Sequence, residues 1–387
     1  MAHVLYADKT MSAALINPAL LSWSRIRAGL TEEDVAKGLP VKTEKVLEWE
    51  GGLALPTFRQ AQRWAALAHI PFGFLFLKEP PDEGLPLPDL RTVGGVAPSK
   101  PSVNLLDTVK DVIRKHEWYL EYLEDHGRTL LPFVGRFTTN AAIQDVVADM
   151  RRTLGVGTDA TRLSYDEYLR VLINAAEANG ILVMRSGIVG SNTHRKLDVA
   201  EFRGFAISNE YAPIVFINSA DAQTARLFTL IHELAHIWIG SSGISSGSTN
   251  SSRNEEIFCN AVAGEFLVPA QAFVGAWRRD IFWRDNLPEL AARFRVSQLV
   301  IARRAVDHAF ISQETYGGYY LEELRAFRER DESGGSFYRS AGAKNSVKLS
   351  RAVISEALSG NLLLRDAGKL LLMQPSHIKT YAGILAE

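Results

Sequence analysis

The chain has 387 residues, enough to bury a substantial core and more than one domain usually holds, so its length predicts two or three domains. Apolar residues make up 47% of it and charged residues 22%, as is ordinary for a soluble globular protein. The formal net charge of -1 excludes a polyanionic partner bound through overall charge. Any contact with nucleic acid must therefore depend on a local patch.

Cysteine content and hydropathy bear on the compartment. The single cysteine, Cys259, excludes an internal disulfide framework and a cysteine-rich zinc finger, and it favours a reducing compartment. Residues 1–23 lack a basic segment and are interrupted by polar residues, so they make a poor signal peptide. No uninterrupted apolar run is long enough to span a bilayer. The sequence therefore predicts a cytoplasmic protein without membrane contact.

The N-terminal part is predicted to be a compact all-helical unit. Short helices separated by tight turns are expected from about Leu20 to Leu77, because apolar residues recur there at helical spacing. Thr31 can cap the second helix, with Asp34 as the acidic partner in a capping box. The stretches 21–25, 29–36 and 46–51, together with Pro56-Thr57, resemble an Xre-type, lambda-repressor-like helix-turn-helix domain. We assign residues 1–80 to this domain.

The third helix of this domain would be the DNA reader. Its exposed positions would be Lys42, Thr43, Glu44 and Lys45, whereas direct base readout favours Arg, Gln and Asn. Residues 1–80 hold nine Lys and Arg against eight Asp and Glu, so the domain lacks the excess positive charge behind nonspecific DNA affinity. The candidate DNA contacts are Lys42, Thr43 and Lys45. The alternative is that the domain docks a protein, either a partner repressor or another copy of itself.

A stretch dense in Pro and Gly, Glu79 to Pro88, cannot continue a helix and predicts a linker over residues 81–100. A second domain follows over residues 101–333. Its predicted elements are helices from Leu105 to Glu124 and Tyr165 to Asn179, and strands from Gly204 to Ser208 and Pro213 to Ile217. Strands that lead into a further helix predict an α+β core.

That further helix carries a metal-binding pattern. His232, Glu233 and His236 lie between Asp221, a plausible N-cap, and Gly240, a stop, in a stretch without internal Gly or Pro. Residues four apart share a helix face, so both imidazoles can bind one Zn²⁺. Glu233 would lie beside the ion, where it can accept a proton from a water molecule that the ion acidifies and deliver it to the leaving amine. This is the chemistry of peptide hydrolysis.

A catalytic zinc ion needs a third protein ligand and an open fourth position. Glu256 is the best candidate, in a second predicted helix that begins at Asn254, ends before Pro269 and follows a flexible surface loop over residues 240–252. Asn260, one turn later, would hold a ligand histidine in its orientation. Glu255 is the alternative ligand. Cys259 could also be proposed, although a buried core thiol is the commoner explanation for a lone cysteine.

The His-Glu-x-x-His motif is short. With nine histidines in the chain it should arise by chance in roughly one or two such sequences per hundred. The predicted helix and the second acidic helix favour a metal site over a charged helix with solvated histidines. A free carboxylate next to three ligands favours a catalytic ion over a structural one.

The run from Phe228 to His236, followed by residues 256–260 and 266–269, resembles the ImmA/IrrE family of metallopeptidases. Residues 201–206 and 213–218 fit the same family, and the similarity is closest to longer members that carry their own Xre-type domain. The resemblance implies zinc bound by His232, His236 and Glu256, with Glu233 catalytic. Known members cut transcriptional repressors after DNA damage or during induction of mobile elements, but what this chain cuts does not follow from the resemblance.

Two further features of the catalytic domain remain open. The strand from Pro213 to Ile217 could pair with a substrate peptide if it lies at the sheet edge beside the metal. The alternative is an internal core strand. Arg203, His194 and Tyr211 are candidates for stabilising the oxyanion, and the sequence does not choose among them.

Beyond Pro269 the chain is predicted to be helical to its end, with a break near Gly334-Gly335. Ser297 would begin an Arg-bearing helix whose equivalent in the family packs behind the peptidase core. Residues 336–387 hold seven Lys and Arg against three Asp and Glu, and Ala367 to Tyr381 has the spacing of a small helical reader. The segment 334–387 could be an accessory DNA or dimerisation element. The alternative is a solvated helical face.

These observations predict a multidomain, mainly α protein with an α+β zinc-peptidase core and an N-terminal all-α helix-turn-helix domain. The predicted function is zinc-dependent endopeptidase activity in transcriptional regulation and stress response, with a repressor or other regulatory protein as substrate. DNA and a second copy of the chain are further candidate partners. One alternative is a non-catalytic DNA-binding regulator or antitoxin-like protein with a structural or sensory zinc site. Another is a scaffold that captures a partner without DNA or proteolysis.

Overall fold

The computed structural model describes residues 13–88, 101–157, 163–245, 254–328 and 344–386. Over these ranges the chain is mostly helical with one small mixed sheet, as predicted. It divides into two compact units, Met1–Gly84 with Lys100–Leu106, and Leu85–Ser99 with Asp107–Glu387. The predicted break near Gly334-Gly335 lies outside the described residues.

The first unit consists of short helices around a small apolar core. Its described helices are α1 (Pro18–Arg27), α2 (Glu32–Gly38), α3 (Thr43–Glu50), α4 (Phe58–Leu67) and a 3₁₀ helix (Phe72–Phe76). The predicted capping box of α2 is confirmed, because Thr31 and Asp34 exchange side-chain and backbone hydrogen bonds. Trp49 and Trp64 fill the core with their rings edge to face, 6.3 Å between centroids. Local capping and aromatic packing together define this unit.

The remaining helices follow in chain order. They are α5 (Val103–His126), α6 (Ile143–Leu154), α7 (Tyr165–Ala178), α8 (Gln223–Trp238), α9 (Asn254–Leu267), α10 (Ala270–Ala276), α11 (Leu287–Phe294), α12 (Gln298–Asp307), α13 (Gln313–Arg328), α14 (Val347–Ser359), α15 (Leu364–Leu371) and α16 (Ile378–Ala386). Two 3₁₀ helices, Trp283–Asn286 and Pro375–His377, precede α11 and α16. Within the described ranges no single helix is long and apolar enough to cross a membrane, and only α9 and α10 taken together, with a 62° bend between them, meet the requirement by length and composition.

Several predicted elements are confirmed and one helix was missed. The helices predicted from Leu105 and from Tyr165 are α5 and α7, and Ser297 caps α12 through its hydroxyl. The sequence did not predict α6. The prediction that Asp221 is the N-cap of α8 is wrong, because the helix begins at Gln223 and Ala222 is its N-cap. Instead the Asp221 carboxylate accepts a hydrogen bond from the backbone of Ala222 at 2.8 Å.

The sheet contains β1 (Leu182–Ser186), β2 (Gly204–Ile207), β3 (Ile214–Asn218) and β4 (Gly243–Ser245), in the order β1-β3-β2-β4. β3 pairs in parallel with β1 and antiparallel with β2, and β4 pairs antiparallel with β2. All residues of β2, β3 and β4 are buried, as expected for a sheet covered on both faces. The hypothesis that the strand at Pro213 to Ile217 lies at the sheet edge is wrong. This strand is β3, and it lies between β2 and β1, a strand that the sequence did not predict.

A buried carboxylate connects α6 to the C-terminal end of α8. Asp149 is 3% exposed and accepts a hydrogen bond from Trp238 Nε1 at 2.9 Å. Its other oxygen lies 2.7 Å from a guanidinium nitrogen of Arg136 and of Arg152. Burial alone would raise the pKa of Asp149, but the Trp238 hydrogen bond and the two guanidinium groups hold that pKa below its ordinary value. The carboxylate is therefore stabilising in its charged form.

We expect Asp149→Asn to lower the free energy of unfolding at pH 7 by about 1–3 kcal/mol, since the charge-assisted hydrogen bonds are lost. The folded-state pKa is depressed, so the stabilisation is complete above the unfolded-state pKa and disappears as the pH falls through the folded-state pKa. The difference between wild type and variant should therefore shrink in acid. Denaturant unfolding from pH 7 downwards measures it, with exposed Asp145→Asn of the same helix as control. A pH-independent difference would contradict this prediction.

Candidate metal site

Two histidines and one glutamate converge between α8 and α9. His232 and His236 lie one turn apart on α8, and their Nε2 atoms are 3.1 Å from each other. Glu256, in the first turn of α9, places Oε1 3.1 Å from His236 Nε2 and Oε2 3.5 Å from His232 Nε2. All three residues are buried, and their donor atoms lie within 4.8 Å of one another. This cluster could hold a metal ion.

Glu233 lies next to the cluster without belonging to it. It is fully buried, and neither carboxylate oxygen has a hydrogen-bond partner among the described residues. Gly204 of β2 makes room for it, since a Cβ there would lie 2.8 Å from Glu233 Oε1 and 2.8 Å from the carbonyl oxygen of Phe216. Burial raises the pKa of Glu233 to about 8, against the opposing effect of His232.

The charges of the cluster depend on one another. Burial alone would lower the pKa of His232, but the charge and hydrogen bond of Glu256 raise it above its ordinary value. Burial would raise the pKa of Glu256, yet the two histidines hold it well below its ordinary range. Burial lowers the pKa of His236. Glu256 is therefore an anion between two imidazoles, which suits it as a ligand.

Ser245 is a site residue that the sequence did not indicate. Its hydroxyl donates to Glu256 Oε1 at 3.2 Å and lies 3.4 Å from His236 Nε2. Ser245 ends β4, opposite Gly204 in the register of β2 and β4. The prediction of a flexible surface loop over residues 240–252 is wrong for Gly243 to Ser245, which form a buried strand too short to give a pattern. Residues 246–252 of that loop lie outside the described ranges.

The other predicted site residues take different positions. A side-chain hydrogen bond from Asn260 contributes to the raised pKa of His232, and the role of Asn260 in orienting that ligand stays a prediction. Glu255, the alternative ligand, accepts a hydrogen bond from Ser241 Oγ at 2.8 Å and is not part of the cluster. Cys259 is buried in the hydrophobic core, and burial raises its thiol pKa well above the ordinary value. The cluster thus contains Glu256 rather than either alternative.

The candidates for stabilising an oxyanion are engaged elsewhere or exposed. Arg203 pairs with Asp221 at 3.5 Å, although its backbone N–H donates to the carbonyl of Ser245 at 3.1 Å. The Tyr211 ring lies under the guanidinium of Arg128, 5.3 Å from the ring centroid. His194 is exposed. The structure brings none of these three side chains into the cluster.

The predicted DNA contacts lie at the start of α3. Lys42 is exposed at the N-cap position and Thr43 is the first residue of the helix. Lys45 is exposed and forms an ion pair with Glu48 at 2.6 Å. Their role in DNA binding stays a prediction.

The fold and the cluster define a class of site, in which two helices packed beside a small mixed sheet bury two histidines, one glutamate and an adjacent free carboxylate. Residues 176–306 match a family model described as the IrrE N-terminal-like domain, and this range contains the sheet, α8, α9 and the whole cluster. The match indicates a metallopeptidase-type domain and confirms the predicted resemblance over these residues. Residues 345–383 match a second model, described only as a domain of unknown function. No curated protein matches the chain.

We expect Ser245→Ala to weaken binding of a metal ion, with Zn²⁺ as the probe, by about 10–100-fold, because a hydrogen-bonding group that orients a candidate ligand is lost while the candidate ligands remain. Ser241→Ala is the matched control, since Ser241 donates to Glu255 outside the cluster. Competition with a chelating dye measures the affinity. Equal zinc affinities for the two variants would contradict the positioning role of Ser245.

Proposed function

We propose that this protein is a zinc-dependent endopeptidase in which His232, His236 and Glu256 bind the ion and Glu233 is the general base. The spacing of the donor atoms supports this proposal most directly. Atoms bound tetrahedrally at about 2.0–2.1 Å from zinc lie about 3.3 Å apart. In the cluster the two Nε2 atoms are 3.1 Å apart, Glu256 Oε1 is 3.1 Å from His236 Nε2, and the other oxygen, Oε2, is 3.5 Å from His232 Nε2. The residues present therefore fit a single zinc ion.

The burial of the cluster also supports a cation. An ionised carboxylate in a dry interior is costly unless an opposite charge and hydrogen bonds compensate it. Glu256 and Glu233 are both 0% exposed, and burial raises the pKa of Glu233 to about 8. Glu233 is therefore ionised at pH 7, as a general base must be, only if a nearby cation lowers that pKa. Two imidazoles and one carboxylate are typical of catalytic zinc, which keeps its fourth position open.

The chain's own residues then have distinct roles. A bound zinc ion would supply a Lewis acid that polarises a peptide carbonyl and acidifies water. Glu233 is adjacent to His232 but outside the ligand set, so its carboxylate is free to accept a proton from the attacking water and to pass it to the leaving amine. Asn260 and Ser245 keep His232 and Glu256 in position.

Metal content and hydrolysis test this proposal together. We expect wild type and Glu233→Gln to hold about one zinc ion per chain and Glu256→Ala to hold almost none, since three protein ligands are needed. Elemental analysis of the three purified proteins measures this. Glu233→Gln should bind zinc normally and have lost hydrolysis. A wild type that takes up no zinc when supplied with it would sink the proposal. Full biological function in Glu233→Gln would favour a structural or sensory metal instead.

We further propose that the substrate is a regulatory protein, such as a transcriptional repressor, and that the protein acts in transcriptional regulation inside the cell. The resemblance of the metal domain and of residues 21–57 to repressor-cleaving proteins supports this. In the first unit, Lys42, Thr43 and Lys45 are the proposed DNA contacts, and a docked partner protein is the alternative.

The zinc-loaded Glu233→Gln variant should act as a substrate trap, because it keeps the ligands and lacks the general base. We expect crosslinking to retain a regulatory protein, which purified wild type then cleaves at one position, as mass spectrometry would show. Glu256→Ala should not cleave the regulatory protein. Adding zinc should not change the amount of that protein which Glu256→Ala retains. If wild type leaves every trapped regulator intact, the proposed substrate class is wrong, whereas a normal zinc content would leave the metal assignment standing.

A further inference from the structure

The C-terminal segment contains a second pair of helices joined by a tight turn. α15 ends at Leu371, and residues 372–374 lead into the 3₁₀ helix Pro375–His377 and directly on to α16. Leu372 adopts the left-handed conformation at φ 55°, and Met373 N–H donates to the carbonyl of Gly368 at 2.9 Å. A Cβ on Gly368 would lie 2.8 Å from the Met373 carbonyl oxygen, so this turn requires glycine there. Turns of three or four residues are typical of helix-turn-helix elements.

The two helices have an inner and an outer side. The inner side is buried and consists of Ala367, Leu370, Leu371, Ile378 and Tyr381. Tyr381 also donates to Ser350 Oγ of α14 at 3.3 Å, which fixes α16 against that helix. The outer side exposes Gln374, Ser376, Lys379 and Thr380 around the beginning of α16. Amide, hydroxyl and ammonium groups of this kind can bond to base edges.

Positive charge is concentrated at the same place. Arg365 and Lys369 project from α15 with 71% and 62% of their side chains exposed. They share one acidic partner, Asp366, at 3.4 and 3.0 Å. Arg114 of α5, itself paired with Asp111, lines a groove together with Arg365, Lys369 and Gln374. It donates a hydrogen bond to the Lys369 carbonyl at 3.4 Å. Residues 344–386 hold six Lys and Arg against two Asp and Glu, a net charge of +4 in a chain of net charge -1.

The pair α2 and α3 of the first unit offers a direct comparison. In helix-turn-helix docking the first helix crosses the phosphate backbone and the start of the second helix reaches the bases. α2 begins with Glu32, Glu33 and Asp34, which phosphates repel. α15 has Arg365 and one acid, Asp366, in its first turn and Lys369 in its last, whereas the only base of α2 is Lys37 in its last turn. The net charge is therefore +1 for α15 and -2 for α2. On charge, the C-terminal pair is the better DNA-binding element.

We propose that α15 and α16 bind double-stranded DNA, with the start of α16 in the major groove and with Arg365, Lys369 and Arg114 on the phosphates. The major groove of B-form DNA admits an α-helix. That of A-form RNA is too deep and narrow for side chains to read, so the partner is DNA. The proposal does not depend on whether the metal site hydrolyses peptides.

Fluorescence anisotropy of the full-length protein with a labelled mixed-sequence DNA duplex, over a series of salt concentrations, tests the proposal. Lys369→Ala combined with Lys379→Ala removes two exposed charges from the C-terminal pair. Arg170→Ala combined with Arg325→Ala removes two exposed charges elsewhere in the chain and is the matched control. Lys42→Ala combined with Lys45→Ala removes the contacts proposed in the first unit and measures their separate contribution. We expect the C-terminal variant to lose about tenfold or more in affinity at low salt and to reduce the salt slope by about 1, because Lys369 is the one proposed phosphate contact of the two. The control should bind like wild type.

Other results would overturn the proposal. They are the absence of DNA binding at low salt, a loss confined to the Lys42 and Lys45 variant, and equal affinity for an RNA duplex of the same sequence. Sedimentation of the same proteins identifies the main competitor. If the C-terminal variant changes the mass of the assembly but not the DNA affinity, the surface mediates self-association. Because Lys369 and Lys379 are exposed, both substitutions should leave the circular dichroism spectrum unchanged.

Discussion

The packing of α9 against α8 is the constraint on which the candidate metal site depends. Every residue of α8 from Leu227 to Trp238 is buried, so its polar side chains have no route to solvent. Polar groups in such a position must find partners inside the protein, because an isolated buried charge is strongly destabilising. Glu256 of α9 meets both histidines, and Asp149 of α6 meets the Trp238 indole at the end of the same helix. The helices that surround α8 are thus fixed by polar contacts as well as by apolar packing.

Two residues of the sheet complete the candidate metal site, whose histidines and glutamates come from α8 and α9. Gly204 and Ser245 face each other in the register of β2 and β4, and they act on different parts of the site. The missing side chain of Gly204 leaves space for the Glu233 carboxylate, whereas the Ser245 hydroxyl holds Glu256. Because β2 is also paired with β3, a slip of β4 by one residue would turn the Ser245 side chain to the opposite face of the sheet and leave Gly204 in place. The geometry of the metal site therefore depends on the register of a three-residue strand.

Local signals were predictable from the sequence, and long-range pairing was not. The spacing of His232 and His236 and the break before Asn254 are local features, and so is the capping hydroxyl of Ser297 at α12. They depend on contacts within one or two turns. The position of β3 inside the sheet depends on β1, a short apolar run about thirty residues earlier whose pairing leaves no local trace. For the same reason Ser245, which acts on Glu256 only because β4 pairs with β2, could not be recognised from the sequence.

The ionisable groups of the candidate metal site differ in burial from the charged groups that could bind DNA. Around the metal site the ionisable groups are buried and act on one another, so they contribute little to the field outside the protein. The segment 344–386 has a net charge of +4. Because the whole chain has a net charge of -1, the rest of the chain has a net charge of -5. Phosphates would repel that remainder and attract this segment. A polyanion approaching the protein would thus be oriented before any specific contact forms. A net charge close to zero conceals this asymmetry, and for that reason bulk composition gives no indication of a surface that could bind DNA.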